Sequence, residues 1–370
     1  MSQRRLPLYA RAAAVVTTVT AAALGGLVLP AHADTVTAVE NDLNGDGHTD
    51  LVVVGNQASL DAGLWLTDGA AGGNLTGTAT DIGVNGLGAS GSSPADYNGR
   101  QVIVGHFRTG AGPNDVLIYD PATGSGTVIY GTGDGSPLNP LSGIGVPSVA
   151  FMSPVTGALP TSIANAGQLY TTAAQGEPNP LPSLLSVLDG ALWLQPTGAA
   201  PGAFFPPELV LTETNPTGSG TWSGWSITTA LVDNMPALFA RSETGGQLYY
   251  YSPAALLDMT LGTPATPVLV AAEGWDAAAK PLVQAADVDQ DGTVDLRAVD
   301  ASGNATTYRF DGTALTALGT HNLLTGADTV PGGTPTATPT PTATPTPTAT
   351  PTPTPTGPKR HPHPTKSRQH

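Results

Sequence analysis

Between residues 34 and 330, short apolar runs alternate with clusters of Gly, Asn, Asp, Ser and Pro. Leu51-Val52-Val53-Val54, Val102-Ile103-Val104 and Val116-Leu117-Ile118-Tyr119 are clear runs, rich in β-branched and aromatic residues. Such runs, bounded by turn formers every several residues, predict strands rather than helices. The 3.6-residue period of an amphipathic helix is nearly absent after residue 34. The pattern predicts an all-β body.

The runs recur in a shared order: apolar strand, loop, apolar strand, Gly turn, aromatic strand. Five segments follow it to different degrees, at 38–69, 102–124, 183–198, 230–253 and 285–312, and 148–173 is a sixth, weaker one. Gly224-Trp225 and Gly274-Trp275 stand just before two of them. A repeat of roughly 40–60 residues, each worth three or four strands, points to a β-propeller. A lone blade leaves two open faces, whereas a ring of blades buries them against neighbours. Trp65, Tyr119, Tyr170, Trp193, Tyr250 and Tyr308 share the aromatic strand position, and their expected task is filling the wedges between blades.

Two loops carry chemistry. In the first, Asp42, Asn44, Asp46 and Asp50 occupy positions one, three, five and nine, with Gly47 at six. In the second, Asp287, Asp289, Asp291 and Asp295 repeat that spacing, with Gly292 at six. Alternating oxygen side chains converge inward on a short loop, and calcium takes six to eight oxygens. The glycine permits the sharp turn. The backbone carbonyls of His48 and Thr293, at position seven, would add one oxygen each. Position twelve is Val53 in one loop and Ala298 in the other, and strand-like residues follow, so neither is an EF-hand. The bland alternative is a pair of Asp/Gly-rich hairpin turns.

These loops resemble the calcium-binding loops of FG-GAP/VCBS-type repeats, the blades of propellers like those of integrin α-subunits. The resemblance spans most of 34–330 and is most specific at the two acidic loops. It implies calcium held by Asp42, Asn44, Asp46, His48 and Asp50, and by Asp287, Asp289, Asp291, Thr293 and Asp295. It also implies a seven-bladed ring. Six blades are readable, with the stretches 203–225 and 315–330 left to supply or close the seventh.

Charge and composition narrow the partners. All 28 acidic residues of the chain lie within 34–330, beside only six basic ones: Arg100, Arg108, Arg241, Lys280, Arg297 and Arg309. A body this acidic disfavours nucleic acid, which needs clustered cations. There is no cysteine, so disulfides do not hold the fold. The start of the chain, with Arg4, Arg5 and Arg11, an apolar stretch over 12–29 and Ala-His-Ala at 31–33, reads as a secretory leader over 1–33. At the far end, 331–370 holds a Pro-Thr repeat (334–357) and then Lys359, Arg360, Lys366 and Arg368. Proline at that density gives an extended spacer. Its four cations suit an anionic cell-wall polymer, or form a solvated end that binds nothing. The expected product is a secreted monomer with no membrane span after leader removal.

Catalytic signals are thin. Gly86-Leu87-Gly88-Ala89-Ser90-Gly91 fits G-x-G-x-x-G, but the residues after it cannot open a helix. The body has three histidines, His48, His106 and His321, and two of them fall in acidic or decayed loops. The sequence therefore favours a non-catalytic calcium-binding module for an extracellular glycan or protein. The alternatives are a polysaccharide hydrolase or lyase on a propeller, and a wall-associated structural protein.

Overall fold

A computed structural model describes residues 39–329, except 89, 110–111, 137, 139–142 and 171–180. The expected leader and the Pro-Thr spacer lie outside the described residues.

Five antiparallel sheets follow one another along the chain. Blade one is β1 (Leu51–Val54), β2 (Leu64–Gly69) and β3 (Leu75–Asp81). Blade two is β4 (Gln101–Gly105), β5 (Asp115–Tyr119), β6 (Gly126–Ile129) and β7 (Ile144–Val146). Blade three is β8 (Ser162–Gly167), β9 (Ser183–Leu188), β10 (Ala191–Gln195) and β11 (Leu209–Thr212). Blade four is β12 (Trp225–Val232), β13 (Met235–Ser242), β14 (Leu248–Tyr251) and β15 (Val268–Ala271), with helix α1 (Pro253–Thr260) before its last strand. Blade five is β16 (Leu282–Ala286), β17 (Asp295–Val299), β18 (Asn304–Phe310), β19 (Leu315–Asn322) and β20 (Asp328–Thr329). Strand β4 meets β8, β8 meets β12, β12 meets β16, and β1 touches both β4 and β16. The ring closes with five blades. No helix among the described residues is long and apolar enough to cross a membrane.

The second strand of each blade explains why the ring is stable. In blades two to five this strand is mostly buried on both faces, a place that β1 takes in three-stranded blade one, and the period of two sends alternate residues to opposite neighbours. In β5, Val116 and Ile118 pack towards blade one, while Leu117 and Tyr119 pack towards blade three. In β13, Leu238 and Ala240 join a core with blade three, and Ala237 and Phe239 join one with blade five. The same alternation closes the circle. Leu51 and Val53 of β1 meet Val299, Ala305 and Leu323 of blade five. Several of the expected wedge aromatics stand in these cores. Tyr119 lies 5.0 Å from Phe151, Tyr250 lies 4.7 Å from Phe310, and Tyr308 lies 5.3 Å from Trp275.

Seven blades are not what the chain builds, and the sixth readable segment is not a blade. Among the described residues of 148–173 the one strand is β8, the inner strand of blade three. A long connection separates it from β9 and β10, so one blade reads as two partial repeats. The stretches held for a seventh blade are outer strands of existing ones: 203–225 contains β11, and 315–330 contains β19 and β20.

Inner strands expose one edge to the next blade, and polar side chains satisfy it. Gln101 accepts from Ile163 N (3.0 Å), Ser162 Oγ accepts from Ile227 N (3.1 Å), and Thr228 Oγ1 accepts from Ala285 N (3.0 Å). Thr229 Oγ1 donates to the Asn165 carbonyl (2.6 Å) and Asn165 Nδ2 to that of Val104 (3.1 Å). These stitches line a central cavity of about 250 Å³, bordered by Glu40, Gln101, Ser162, Thr228 and Gln284. Ser162 is buried, so Ser162→Ala leaves the Ile227 N–H without a partner. The expected loss is about 1–2 kcal/mol, read as a lower urea midpoint with an unchanged slope.

Candidate metal centre

The connections from first to second strand gather on one face of the ring, and both acidic loops are there. Residues 287–294 join β16 to β17, and 42–50 run into β1, which stands in blade one as β17 does in blade five, since Gly69 N of β2 and Phe310 N of β18 hold the closing aspartates alike. Gly47 and Gly292 both take a left-handed φ, +85° and +84°, with open space where a Cβ would stand. Backbone conformation, not crowding, is what calls for glycine there.

In the second loop, carboxylate oxygens of Asp287, Asp289 and Asp295 come within 4.8 Å of one another. Backbone N–H groups hold the loop in shape. Asp287 accepts from Asp291 N (3.1 Å) and Gly292 N (3.0 Å), Asp291 Oδ1 from Thr293 N (2.8 Å), and Asp295 Oδ1 from Phe310 N (2.9 Å). Two buried oxygens, Asp289 Oδ1 and Asp295 Oδ2, have no hydrogen-bond partner. Asp295 is fully buried. Burial pushes its carboxyl up to about 7, and Asp289, Asp291 and Asp287 add to the rise. Burial also raises Asp287, whereas hydrogen bonds from Thr293 lower Asp291. Orphaned buried oxygens beside further carboxylates form a site that a divalent cation fits, because they are costly without a positive partner. Asp287, Asp289 and Asp295 are the residues that would hold it, with Asp291 and the Thr293 carbonyl on the same loop.

The first loop is built alike but is more self-satisfied. Asp42 accepts from Gly45 N (2.6 Å) and Gly47 N (3.0 Å), Asn44 Oδ1 from Asp46 N (2.9 Å), and Asp46 Oδ1 from His48 N (2.8 Å). Both Asp50 oxygens are engaged, one by Gly69 N (2.9 Å), the other by Leu43 N (2.8 Å) and Asn44 N (3.3 Å). Burial pushes Asp50 up to about 6 despite those bonds. Asn44 Nδ2 also donates to Asp68 Oδ1 (3.2 Å), so β2 brings a further carboxylate to this loop.

The two loops touch. Thr49 Oγ1 donates to the Asp287 carbonyl (3.0 Å), and Gln290 Nε2 donates to that of Gly47. Nearby, Glu40 accepts from Leu231 N (3.0 Å), and burial pushes its carboxyl up to about 8.

Blades two and four resolve the same position without a carboxylate cluster among the described residues. In blade two, Asp115 accepts from Gly131 N (3.0 Å) and Phe107 N (3.1 Å), as Asp50 and Asp295 accept from their own sheets. There Arg108 sits on the carboxylate, Nε to Oδ1 at 3.3 Å, with its guanidinium 5.4 Å from the Tyr130 ring centre. An internal cation stands where the acidic loops have carboxylates. In blade four a two-residue turn, Asp233-Asn234, joins β12 to β13 with positive φ at both residues. It is too short to wrap an ion. The sequence pattern did not single out Arg108. Its signal is an arginine two residues beyond His106, at the third position of a decayed loop whose closing aspartate, Asp115, survives.

No family model matches this sequence. No curated protein matches it either. Among solved structures it is similar to an Agrocybe aegerita lectin that recognises non-reducing terminal N-acetylglucosamine, at 13% identity and a TM-score of 0.36, over 75% of this chain and 64% of that one. It is similar to AofleA from Arthrobotrys oligospora at 14% identity and a TM-score of 0.36, over 76% of this chain and 70% of that one. A third, the Dos1 propeller, is 9% identical with a TM-score of 0.29, over 71% of this chain and 57% of that one. The chain thus spans less than two thirds of the first of these, and likeness at this level says nothing of what it binds.

Proposed function

We propose that this chain is a secreted, calcium-stabilised propeller of FG-GAP/VCBS type that works as a non-catalytic binding module for carbohydrate. The observation that carries the calcium reading is the blade-five cluster, where three carboxylates meet and two buried oxygens lack partners. The ion neutralises the cluster and fixes the loop face of the ring. The residues 1–33 fit export to a calcium-rich space, where affinities of about 10⁻⁴–10⁻³ M suffice. The body's acidity favours a neutral, polyol-type ligand over polyanions such as nucleic acid, which its field repels. A protein surface is the second class of ligand, and an anionic wall polymer is a separate partner for the cations of 359–368.

The test is a glycan array probed with the full chain, with calcium and with chelator. The expected result is binding to at least one carbohydrate class, weakened by chelation. Silence across the array in calcium would count against the reading. So would turnover of a polysaccharide that one Asp or Glu substitution outside the two loops abolishes.

A further inference from the structure

Blade five carries a cation of its own beside the acidic cluster. Arg309, on β18, places Nη2 2.6 Å from Asp289 Oδ2, and its side chain is 52% exposed while that of Asp289 is 6% exposed. Arg309 precedes Phe310, whose N–H holds Asp295 (2.9 Å). The guanidinium is therefore anchored at the rim of the cluster, on a side chain free to swing into solvent. It covers one oxygen of Asp289 and leaves the other, buried, without a partner.

We propose that Arg309 is a tethered competitor for the divalent ion: it occupies Asp289 when the loop is empty and sets how tightly calcium is held there. This rests on the calcium reading given above. Two comparisons within the chain support it. In blade two, Arg108 Nε stands 3.3 Å from the closing carboxylate of Asp115 while its Nη2 donates to the carbonyls of Pro113 and Gly131, so an arginine can bring positive charge to this place in the framework. In blade one, the position matching Arg309 is Asp68, since Gly69 N and Phe310 N hold the two closing aspartates alike. Asp68 accepts from Asn44, the third position of that loop, so donor and acceptor are exchanged: the loop's Asn44 donates to Asp68 in blade one, and the loop's Asp289 accepts from Arg309 in blade five. A divalent ion approaching Asp289 must displace the guanidinium or bind against its charge. The pair is open to solvent on its arginine side, which weakens it and keeps the competitor displaceable rather than a permanent plug.

The experiment is competition between a calcium chelator dye and the full chain, for wild type, Arg309→Gln and Arg309→Lys. Arg309→Gln is expected to bind calcium about fivefold more tightly, from loss of a half-exposed pair and of the charge facing the ion. Arg309→Lys, which keeps the charge, stays near wild type. In an Asp295→Asn background the Arg309→Gln gain disappears, which places the effect in blade five. Melting in chelator serves as the folding control and is expected to change little. Equal or weaker binding by Arg309→Gln overturns the inference while leaving the calcium reading intact. No calcium binding by any variant, wild type included, overturns both.

Discussion

Arg297→Met is expected to destabilise the protein by about 3–5 kcal/mol, the range for breaking a buried charged network. Arg297 lies on the face of β17 turned towards blade one and is 1% exposed. Its Nη1 donates to the Thr49 carbonyl (2.7 Å) and its Nη2 to that of Gly73 (3.2 Å), both in blade one. Burial lowers its pKa to about 10, while Asp50 and Asp295 push back upward, so it stays charged at neutral pH. One side chain thus ties the last blade to the first and offsets the closing aspartates of both acidic loops. Methionine fills much of the volume but leaves carbonyls unpaired and removes a buried cation that interacts with Asp50 and Asp295. Arg297→Lys keeps the charge but not the fork, and an intermediate loss is expected. Denaturant unfolding checks this; a methionine variant as stable as wild type would remove Arg297 from the closure.

Calcium is expected to raise the melting temperature of wild type by about 5–10 °C over chelator. At about 10 mM calcium and a Kd of about 10⁻⁴ M, one site stabilises by about 3 kcal/mol. For a domain of this size each kcal/mol moves the midpoint by about 2–4 °C. Asp295→Asn separates the ion's effect from general damage. The amide keeps an oxygen for Phe310 N and removes a fully buried charge facing Asp287 and Asp289. The variant is therefore expected to melt in chelator no lower than wild type, yet to lose the blade-five share of the calcium response. Thermal unfolding of both proteins with and without calcium shows which holds. Identical wild-type melting in the two conditions contradicts the prediction.

Strands buried on both faces, and the loops before them, were legible in the sequence because most of their positions are apolar. The runs in β1, β5, β9 and β17 stand out for that reason. Of the inner strands only β4 shows such a run, Val102-Ile103-Val104, and the others, like the outer strands, were not legible. Ser162-Ile163-Ala164-Asn165-Ala166-Gly167 forms β8 through small and polar residues that stitch to neighbouring backbones and line the cavity, and no apolar run marks it. Outer strands such as Leu209–Thr212 and Val268–Ala271 are half exposed and short. Blade count failed on these strands, since partial repeats were scored as whole blades. At the site, spacing alone gave the aspartates. It could not give Arg297, because an arginine in a strand reads as solvent-facing, nor Arg108 and Arg309, whose positions over the loops depend on how strands return. The contact between the two loops, 238 residues apart at Thr49 and Asp287, required the ring to close.

The most direct test of the account counts calcium ions per chain by equilibrium dialysis, for wild type and Asp295→Asn. The account predicts at least one bound ion in wild type and one fewer in the variant. Equal counts, or none in wild type at millimolar calcium, would contradict it.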